Sequence, residues 1–515
     1  MKRVFWMVAL AALLMLPLAV MAQEPVTLEP VTLEAYGLET LIPAGWSEAG
    51  PGLFARRATA DDGVLIAVQG APLRAEGLLQ ALLPQLGLTE APEPVGELST
   101  AAFDWTLYQV DVEVPNSGVV RVDLALAQGE GSAYVVLVQS LADEYEVMHE
   151  QVFLPVLESV QPIAAPEATE TAEQSFSSEE VTFAGGAEDV TLAGTLTLPE
   201  GPGPYPALVL VSGSGPQDRD ETIAGTAMKP FLLLADQLTP AGVAVLRYDD
   251  RGVGASTGDF NSALTSDFTA DAAAALAYLA TRDDIDPDQI GVLGHSEGGL
   301  VASQLGAQGL ADFIISLAGP GVNGVELLLQ QNRRLYESEG ATEAQTAMQV
   351  EMLETVFPLV IAGDLDAAVD VVREASLEAY ATFDAATQAQ FGGAEQYAEL
   401  AAQQVMAQLS SPWFVSFLAS DPAPDWAQTT VPVLAIFGGL DVQVDAEQNA
   451  PAMEAALAEA GNEDVTIVVL PDANHLFQSA VSGGVSEYST LPAEFTPDLI
   501  PTILNWLAER VTLAS

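Results

Sequence analysis

An apolar stretch, Ile290-Gly291-Val292-Leu293, runs directly into Gly294-His295-Ser296-Glu297-Gly298 and then into a helix-forming run from Leu300 to Gln308. A strand that passes into a helix so abruptly needs a tight turn with no side chains crowding the residue at its tip. Gly294 and Gly298 meet that need. The turn lifts the serine Oγ to the end of the strand, which makes Ser296 the candidate nucleophile. Gly254-Ala255-Ser256-Thr257-Gly258 has the same spacing, but it lies several residues past its own strand, Val243 to Tyr248, and no helical run follows at once. Ser256 is therefore set aside.

The elbow strand belongs to a series. Val181 to Phe183 and Val190 to Leu198 read as an opening hairpin, followed by strands at Ala207 to Val211, Val243 to Arg247, Phe313 to Leu317, Val433 to Phe437 and Val465 to Leu470. Helical runs lie between them, notably Phe268 to Thr281 and Ala446 to Ala460, and Pro497 to Val511 closes the chain. This alternation predicts an α/β fold, a mostly parallel sheet flanked by helices. Between about Val322 and Gln428 it stops, leaving helical stretches such as Glu343 to Ile361 and Ala394 to Leu409. A helical insertion at the carboxyl edge of the sheet is the natural place for a lid. Near its end, Trp413, Phe414 and Phe417 are candidates to line a substrate pocket, or equally to pin the lid to the sheet.

The rest of the chain reads as separate parts. Residues 1–22 carry Lys2 and Arg3, an apolar run from Val4 to Val20 and small residues up to Ala22, the pattern of an export signal cut before Gln23. An uncleaved anchor is the alternative. Residues 23–160 read as a small α+β domain with strands near 64–69, 105–112, 119–126 and 133–138. Met148, Val152, Val156 and Val160 fall at helical spacing to cover the sheet. Ile42-Pro43-Ala44-Gly45-Trp46 resembles the entry to PsbP-like domains of exported bacterial proteins. His149, flanked by Glu146 and Glu150, reads as a solvated surface residue. Residues 161–180, rich in Pro, Ala, Glu, Ser and Thr, read as a flexible linker, and residues 181–515 as the α/β domain with its lid at about 322–428.

Composition narrows the function. Fifteen Lys and Arg against seventy-two Asp and Glu give a formal net charge of −57, which repels nucleic acids and anionic membranes. With no cysteine there is no thiolate nucleophile, thiolate metal site or lipoprotein anchor, and three histidines in 515 residues do not suggest a multi-histidine zinc site. No cofactor or metal is expected, and the oligomeric state is not legible. After export no stable membrane insertion is expected, and a secreted or extracytoplasmic localisation is expected.

A serine hydroxyl needs a base and an anion to orient that base. After Ser296 the only histidine is His475, in Asp472-Ala473-Asn474-His475 just past the last strand. The acid is expected just beyond the preceding strand, where Phe437-Gly438-Gly439-Leu440-Asp441 places Asp441. Asp445 and Asp472 are weaker candidates. An oxyanion hole needs two backbone N–H groups. One is assigned to Glu297 and the other to Ser214, in the turn Ser212-Gly213-Ser214-Gly215-Pro216, with Gly213 close behind. His295 reads as packing beneath the turn.

From about Val181 to Ala508 the chain resembles the α/β-hydrolase superfamily, in particular secreted bacterial carboxylesterases grouped with serine aminopeptidase-like hydrolases. The matching segments are Val211 to Glu221, Lys229 to Phe231, Leu246 to Ser256, Gly294 to Gly299, Ser411 to Phe414, Asp441 to Val444 and Asn474 to Gln478, in the family's order. One departure is Ser212, where many relatives carry a histidine before the oxyanion glycine. The resemblance implies Ser296, Asp441 and His475 as a triad, a small-molecule ester of short to medium acyl chain as substrate, and Asp250-Arg251 as a structural tie. Three rival readings stay open: an aminopeptidase or amidase on the same residues, a thioester hydrolase, and a non-catalytic cell-surface binding protein built on the scaffold.

Overall fold

A computed structural model describes residues 26–513, apart from 34–35, 57–63, 84, 87, 89, 115–117, 130, 164–175, 389–390, 392 and 410. The export signal expected at residues 1–22, and residues 164–175 of the expected linker, lie outside the described residues, and the linker's described ends are corrected to strand: Gln161–Pro162 pairs with Glu39 and Leu38, and Phe176 opens the strand Phe176–Ala184. The chain divides into two compact units, Met1–Glu170 with Val372–Ala407, and Thr171–Val371 with Gln408–Ser515.

In the second unit eight strands form one sheet: β1 (Phe176–Ala184), β2 (Thr191–Pro199), β3 (Tyr205–Val211), β4 (Ala244–Tyr248), β5 (Ile285–His295), β6 (Ile314–Leu317), β7 (Val433–Gly438) and β8 (Val465–Leu470). Their spatial order is β1-β2-β4-β3-β5-β6-β7-β8. The pairs β1/β2 and β2/β4 are antiparallel and every later pair is parallel. β3, β4, β6 and β7 are buried along their whole length. That is why they read as unbroken apolar runs rather than alternating ones: helices cover both faces of the sheet.

The chain leaves β3 for β4 on one side and reaches β5 on the other, so a crevice opens where the order reverses, at the carboxyl ends of the strands. The register carries that edge across the sheet. Val211 pairs with Gly294, His295 with Leu317, Leu317 with Ile436, and Gly438 with Leu470. The loops that follow β3, β5, β7 and β8 therefore all emerge at one edge.

Helices α1 (Pro230–Leu238), α2 (Thr265–Leu279), α3 (Glu297–Ala307), α4 (Gly324–Ser338), α5 (Glu343–Ala362), α6 (Pro412–Leu418), α7 (Ala446–Glu459) and α8 (Leu499–Ala508) complete this unit's main elements. Their ends follow local chemistry. Asn323 caps α4, Thr342 and Gln345 form a capping box on α5, Gly363 in the left-handed region ends α5, and Ser411 caps α6. Among the described residues no strand lies between Leu317 and Val433; further helices occupy Leu365–Thr382 and Ala394–Leu409. The first helix of this interval is tied to the sheet edge, because Gln330 Nε2 donates to Asp445 at 2.7 Å and Arg334 pairs with the same carboxylate at 3.1 Å.

The first unit contains a seven-stranded antiparallel sheet whose long strands are Leu65–Ala71, Ala133–Leu141, Gly118–Gln128 and Asp104–Val114. Met148, Val152, Val156 and Val160 are all buried against it. Residues four apart drift by about 40° per step around an α-helix, and one wide π-turn over His149–Phe153 offsets part of that drift. The structure corrects the expectation for His149. It is not freely solvated: its Nδ1 lies 2.9 Å from Asp123 Oδ2 and 3.3 Å from the Tyr145 hydroxyl, and its ring packs between those of Tyr145 and Phe153.

Candidate active site

Ser296 sits between β5 and α3 with φ 54° and ψ −117°, a conformation that non-glycine residues rarely adopt and that the surroundings must enforce. Its N–H donates to the Leu317 carbonyl at 2.9 Å, and its carbonyl accepts from the Gly299 N–H at 2.8 Å. A Cβ at Gly294 would lie 2.0 Å from the Gly298 carbonyl oxygen, and one at Gly298 would lie 2.1 Å from that of Val211. Both obstacles are backbone, so neither glycine is replaceable without moving a strand. The rival Ser256 is wholly buried; its Oγ donates to the Asp249 carbonyl at 2.7 Å and accepts from the Ala193 N–H at 2.9 Å.

His475 lies on the loop after β8. Asn474 holds this loop, accepting the Leu476 and Gln478 N–H groups at 3.0 and 2.9 Å. Asp441 lies on the loop after β7. The two loops touch because Gly438 and Gly439 lack side chains: a Cβ on either would come within 2.5 or 2.6 Å of the Ala473 or Pro471 carbonyl oxygen. His475 Nδ1–H donates to Asp441 Oδ2 at 2.8 Å, while Oδ1 accepts the Gln443 and Val444 N–H groups at 2.7 and 2.9 Å. A carboxylate only accepts, so the proton resides on Nδ1 and the Nε2 lone pair is left free. The weaker acids are used otherwise. Asp445 caps α7 and holds α4, and Asp472 is exposed.

His295 links the turn that carries Ser296 to the loop that carries His475. The His295 and His475 rings lie 4.8 Å apart, and His295 Nε2 lies 3.0 Å from the His475 carbonyl oxygen. Among the described residues Ser296 Oγ makes no hydrogen bond, to His475 or to another group; such bonds often tighten only when substrate is bound. His295 does lie beneath the turn, but it is more than packing. Its Nδ1 lies 2.7 Å from Glu221 Oε1. Burial opposes its charge, yet the Glu221 carboxylate lifts its pKa above the ordinary histidine value.

The Ser212-Gly213-Ser214 loop lies against Ser296, since a Cβ at Gly213 would be 3.1 Å from Ser296 Cβ. The Gly213 N–H is spent on Glu221 Oε1 at 2.9 Å. The exposed Ser214 N–H has no partner among the described residues. The Glu297 N–H opens α3, where no preceding turn supplies a carbonyl. Ser212, in place of a histidine, donates its hydroxyl to Asp250 at 3.1 Å.

The Glu297 side chain is buried and accepts from Ser214 Oγ (2.8 Å), Thr265 Oγ1 (2.6 Å) and Trp413 Nε1 (3.0 and 3.1 Å). Burial pushes its pKa up against the pull of these donors. Trp413 stacks on Phe417 with centroids 5.6 Å apart, and Phe414 packs on Phe357 of α5. Phe414 and Phe417 are buried, while Trp413 is half-buried. Asp250 and Arg251 do not pair with each other. Arg251 binds Asp271 and Asp267, and Asp250 accepts from Ser212 and the Gln217 N–H. Among the described residues no group of His, Asp and Glu is placed to hold a metal ion.

Neither the Glu221 side chain nor the Glu297 carboxylate is marked by a motif in the sequence. The one signal for the first was the charged run Asp218-Arg219-Asp220-Glu221 directly after a glycine-rich turn.

A mostly parallel sheet in this strand order, with a serine elbow after β5, is an α/β-hydrolase architecture. The sequence pattern of the alpha/beta hydrolase family matches residues 208–481, and the chain belongs to that family. It is 27% identical to the esterase EstD of Thermotoga maritima over 343 residues, 65% of this chain and 68% of that protein. Among solved structures, a Pyrococcus furiosus esterase covers 65% of this chain and 92% of its own, at 15% identity and a TM-score of 0.38. A thermophilic esterase from Thermogutta terrifontis covers 65% of this chain and 100% of its own, at 17% identity and a TM-score of 0.36.

Proposed function

We propose that this chain is an exported serine hydrolase that cleaves carboxylic esters of short to medium acyl chain by acyl transfer. The observation that carries the reading is the 2.8 Å hydrogen bond between buried His475 and Asp441, on loops that leave the sheet at the same edge as Ser296. The similarity to the esterase EstD supports esters as the substrate class. Ser296 Oγ attacks the ester carbonyl carbon as its proton passes to His475 Nε2. Asp441 holds the imidazole in the Nδ1–H tautomer and stabilises the cation that forms. The oxyanion is received by the N–H groups of Ser214 and Glu297, aided by the positive end of α3. His475 then protonates the leaving alcohol, and water, activated by the same imidazole, releases the acid and restores Ser296.

Export is read from residues 1–22, and a lid from the helices between β6 and β7, with Trp413 bordering the pocket. A fluorophosphonate probe and an ester series test the reading. The expected result is labelling of wild-type chain, none in Ser296→Ala, and turnover of p-nitrophenyl acetate and butyrate above that of aminoacyl-p-nitroanilides or acyl thioesters. Faster anilide or thioester cleavage moves the substrate class, and absence of labelling leaves a binding protein.

A further inference from the structure

Glu221 is a buried acid in a position where an acid is costly. It is 1% exposed, its φ is +54°, and one of its oxygens, Oε2, has no hydrogen-bond partner. The turn that imposes this conformation closes on Asp218, which accepts the Asp220 and Thr222 N–H groups at 3.1 and 2.9 Å. A left-handed backbone at a non-glycine residue is held at a cost, and such strain gathers where a side chain must be aimed. Here it aims the carboxylate inward, toward the underside of the nucleophile turn.

The single oxygen Oε1 does two things. It accepts the Gly213 N–H at 2.9 Å and pairs with His295 Nδ1 at 2.7 Å. The other ring nitrogen, Nε2, faces the His475 carbonyl at 3.0 Å. A carbonyl only accepts, so Nε2 carries a proton, and a second proton is shared between Nδ1 and Glu221. The links run from the loop that carries the Ser214 N–H, under Ser296, to the backbone of His475.

We infer that Glu221 and His295 are a positioning pair for the proposed hydrolysis: they fix the distance between the oxyanion-binding loop and the general base on either side of Ser296. The inference rests on the serine-hydrolase reading. Neither residue touches substrate. By holding the Gly213 N–H, Glu221 also selects the Ser214 N–H as the oxyanion donor. The geometry makes the carboxylate specific. An amide oxygen in place of Oε1 could accept from Gly213 but would leave a doubly protonated His295 without a counter-charge. An amide nitrogen there would serve His295 but oppose the Gly213 N–H. Glutamine keeps one link and loses the other.

The test uses the full chain as wild type, Glu221→Gln, His295→Gln and the double variant. It measures kcat and KM on p-nitrophenyl butyrate, the rate of fluorophosphonate labelling of Ser296, and the melting temperature. Misplacement of reacting groups is read in kcat, so each single variant is expected to lose about 10- to 100-fold in kcat and in labelling rate, with KM within about threefold. The double variant is expected to be no worse than the worse single, because both changes cut the same chain of links. Folded single variants with kcat within about twofold of wild type overturn the inference, as do losses that multiply in the double or that fall on KM alone. Should Glu221→Gln fail to fold, His295→Gln decides by its kcat-against-KM split. Wild-type chain that takes no label overturns the hydrolase reading and this inference with it; labelled wild type with unimpaired variants overturns this inference alone.

Discussion

The indole N–H of Trp413 donates to both oxygens of the Glu297 carboxylate, at 3.0 and 3.1 Å. This links α6 to the residue directly after Ser296. Thr265 at the start of α2 and Ser214 on the glycine-rich loop reach the same carboxylate. One buried acid therefore gathers three elements around the opening of α3, whose first N–H belongs to that same residue. Trp413→Phe keeps the stack on Phe417 and removes only the donor. A hydrogen bond to a buried charged group is worth about 1.5–3 kcal/mol, and the half-exposed indole lowers that to about 1–2 kcal/mol of unfolding free energy. Urea denaturation of the variant measures the loss, and an unchanged midpoint would show that the contact contributes nothing.

Asp441→Asn should separate orientation from packing. The amide oxygen can still accept the Gln443 and Val444 N–H groups, but the amide nitrogen then faces His475 Nδ1 and favours the tautomer with the proton on Nε2. That tautomer has no lone pair for the serine proton. Ester turnover is expected to fall by roughly a thousandfold to ten-thousandfold with the melting temperature nearly unchanged. A loss of tenfold or less would mean that Asp441 is not the orienting acid.

The strands and the elbow were legible because burial on both faces leaves unbroken apolar runs, and because Gly294 and Gly298 are demanded by backbone atoms less than 2.2 Å from their missing Cβ positions. The pairing of His475 with Asp441 was legible because each follows the end of a strand. Glu221 was not. It stands 74 residues from His295 in the chain, and it reaches that ring only through a left-handed turn that no local pattern announces. His149 escaped for a similar reason: its partner Asp123 lies on a neighbouring strand, and the flanking Glu146 and Glu150 pointed to solvent instead.

Gly298→Ala probes the elbow directly. The added methyl would stand 2.1 Å from the Val211 carbonyl oxygen and 2.8 Å from that of Ser212, and neither belongs to a flexible side chain. α3 must move off the end of β3, at a cost on the order of 3 kcal/mol. Because that movement also carries the Glu297 N–H away, activity should fall even in molecules that remain folded. Chemical denaturation together with turnover per labelled site reads both effects, and a variant of wild-type stability would show that the turn is looser than this contact requires.

Asp250 couples stability to pH. Burial raises its pKa well above the ordinary carboxylate value, against the opposing hydrogen bonds from the Gln217 N–H and Ser212, and the neighbouring Glu297 and Asp271 add to the rise. The folded state therefore holds this proton more tightly than the unfolded chain does. The stabilisation is fully present below the unfolded value near 4 and is lost as pH rises from there through the higher folded value. Asp250→Asn removes the titration while keeping an oxygen for the Gln217 N–H, and the Ser212 hydroxyl can turn to accept from the new amide. Melting temperatures from pH 4 to pH 8 should fall more for wild type than for the variant, and the gap between the two curves should move in the variant's favour as pH rises. Parallel curves would show that Asp250 is ionised in the folded protein across that range.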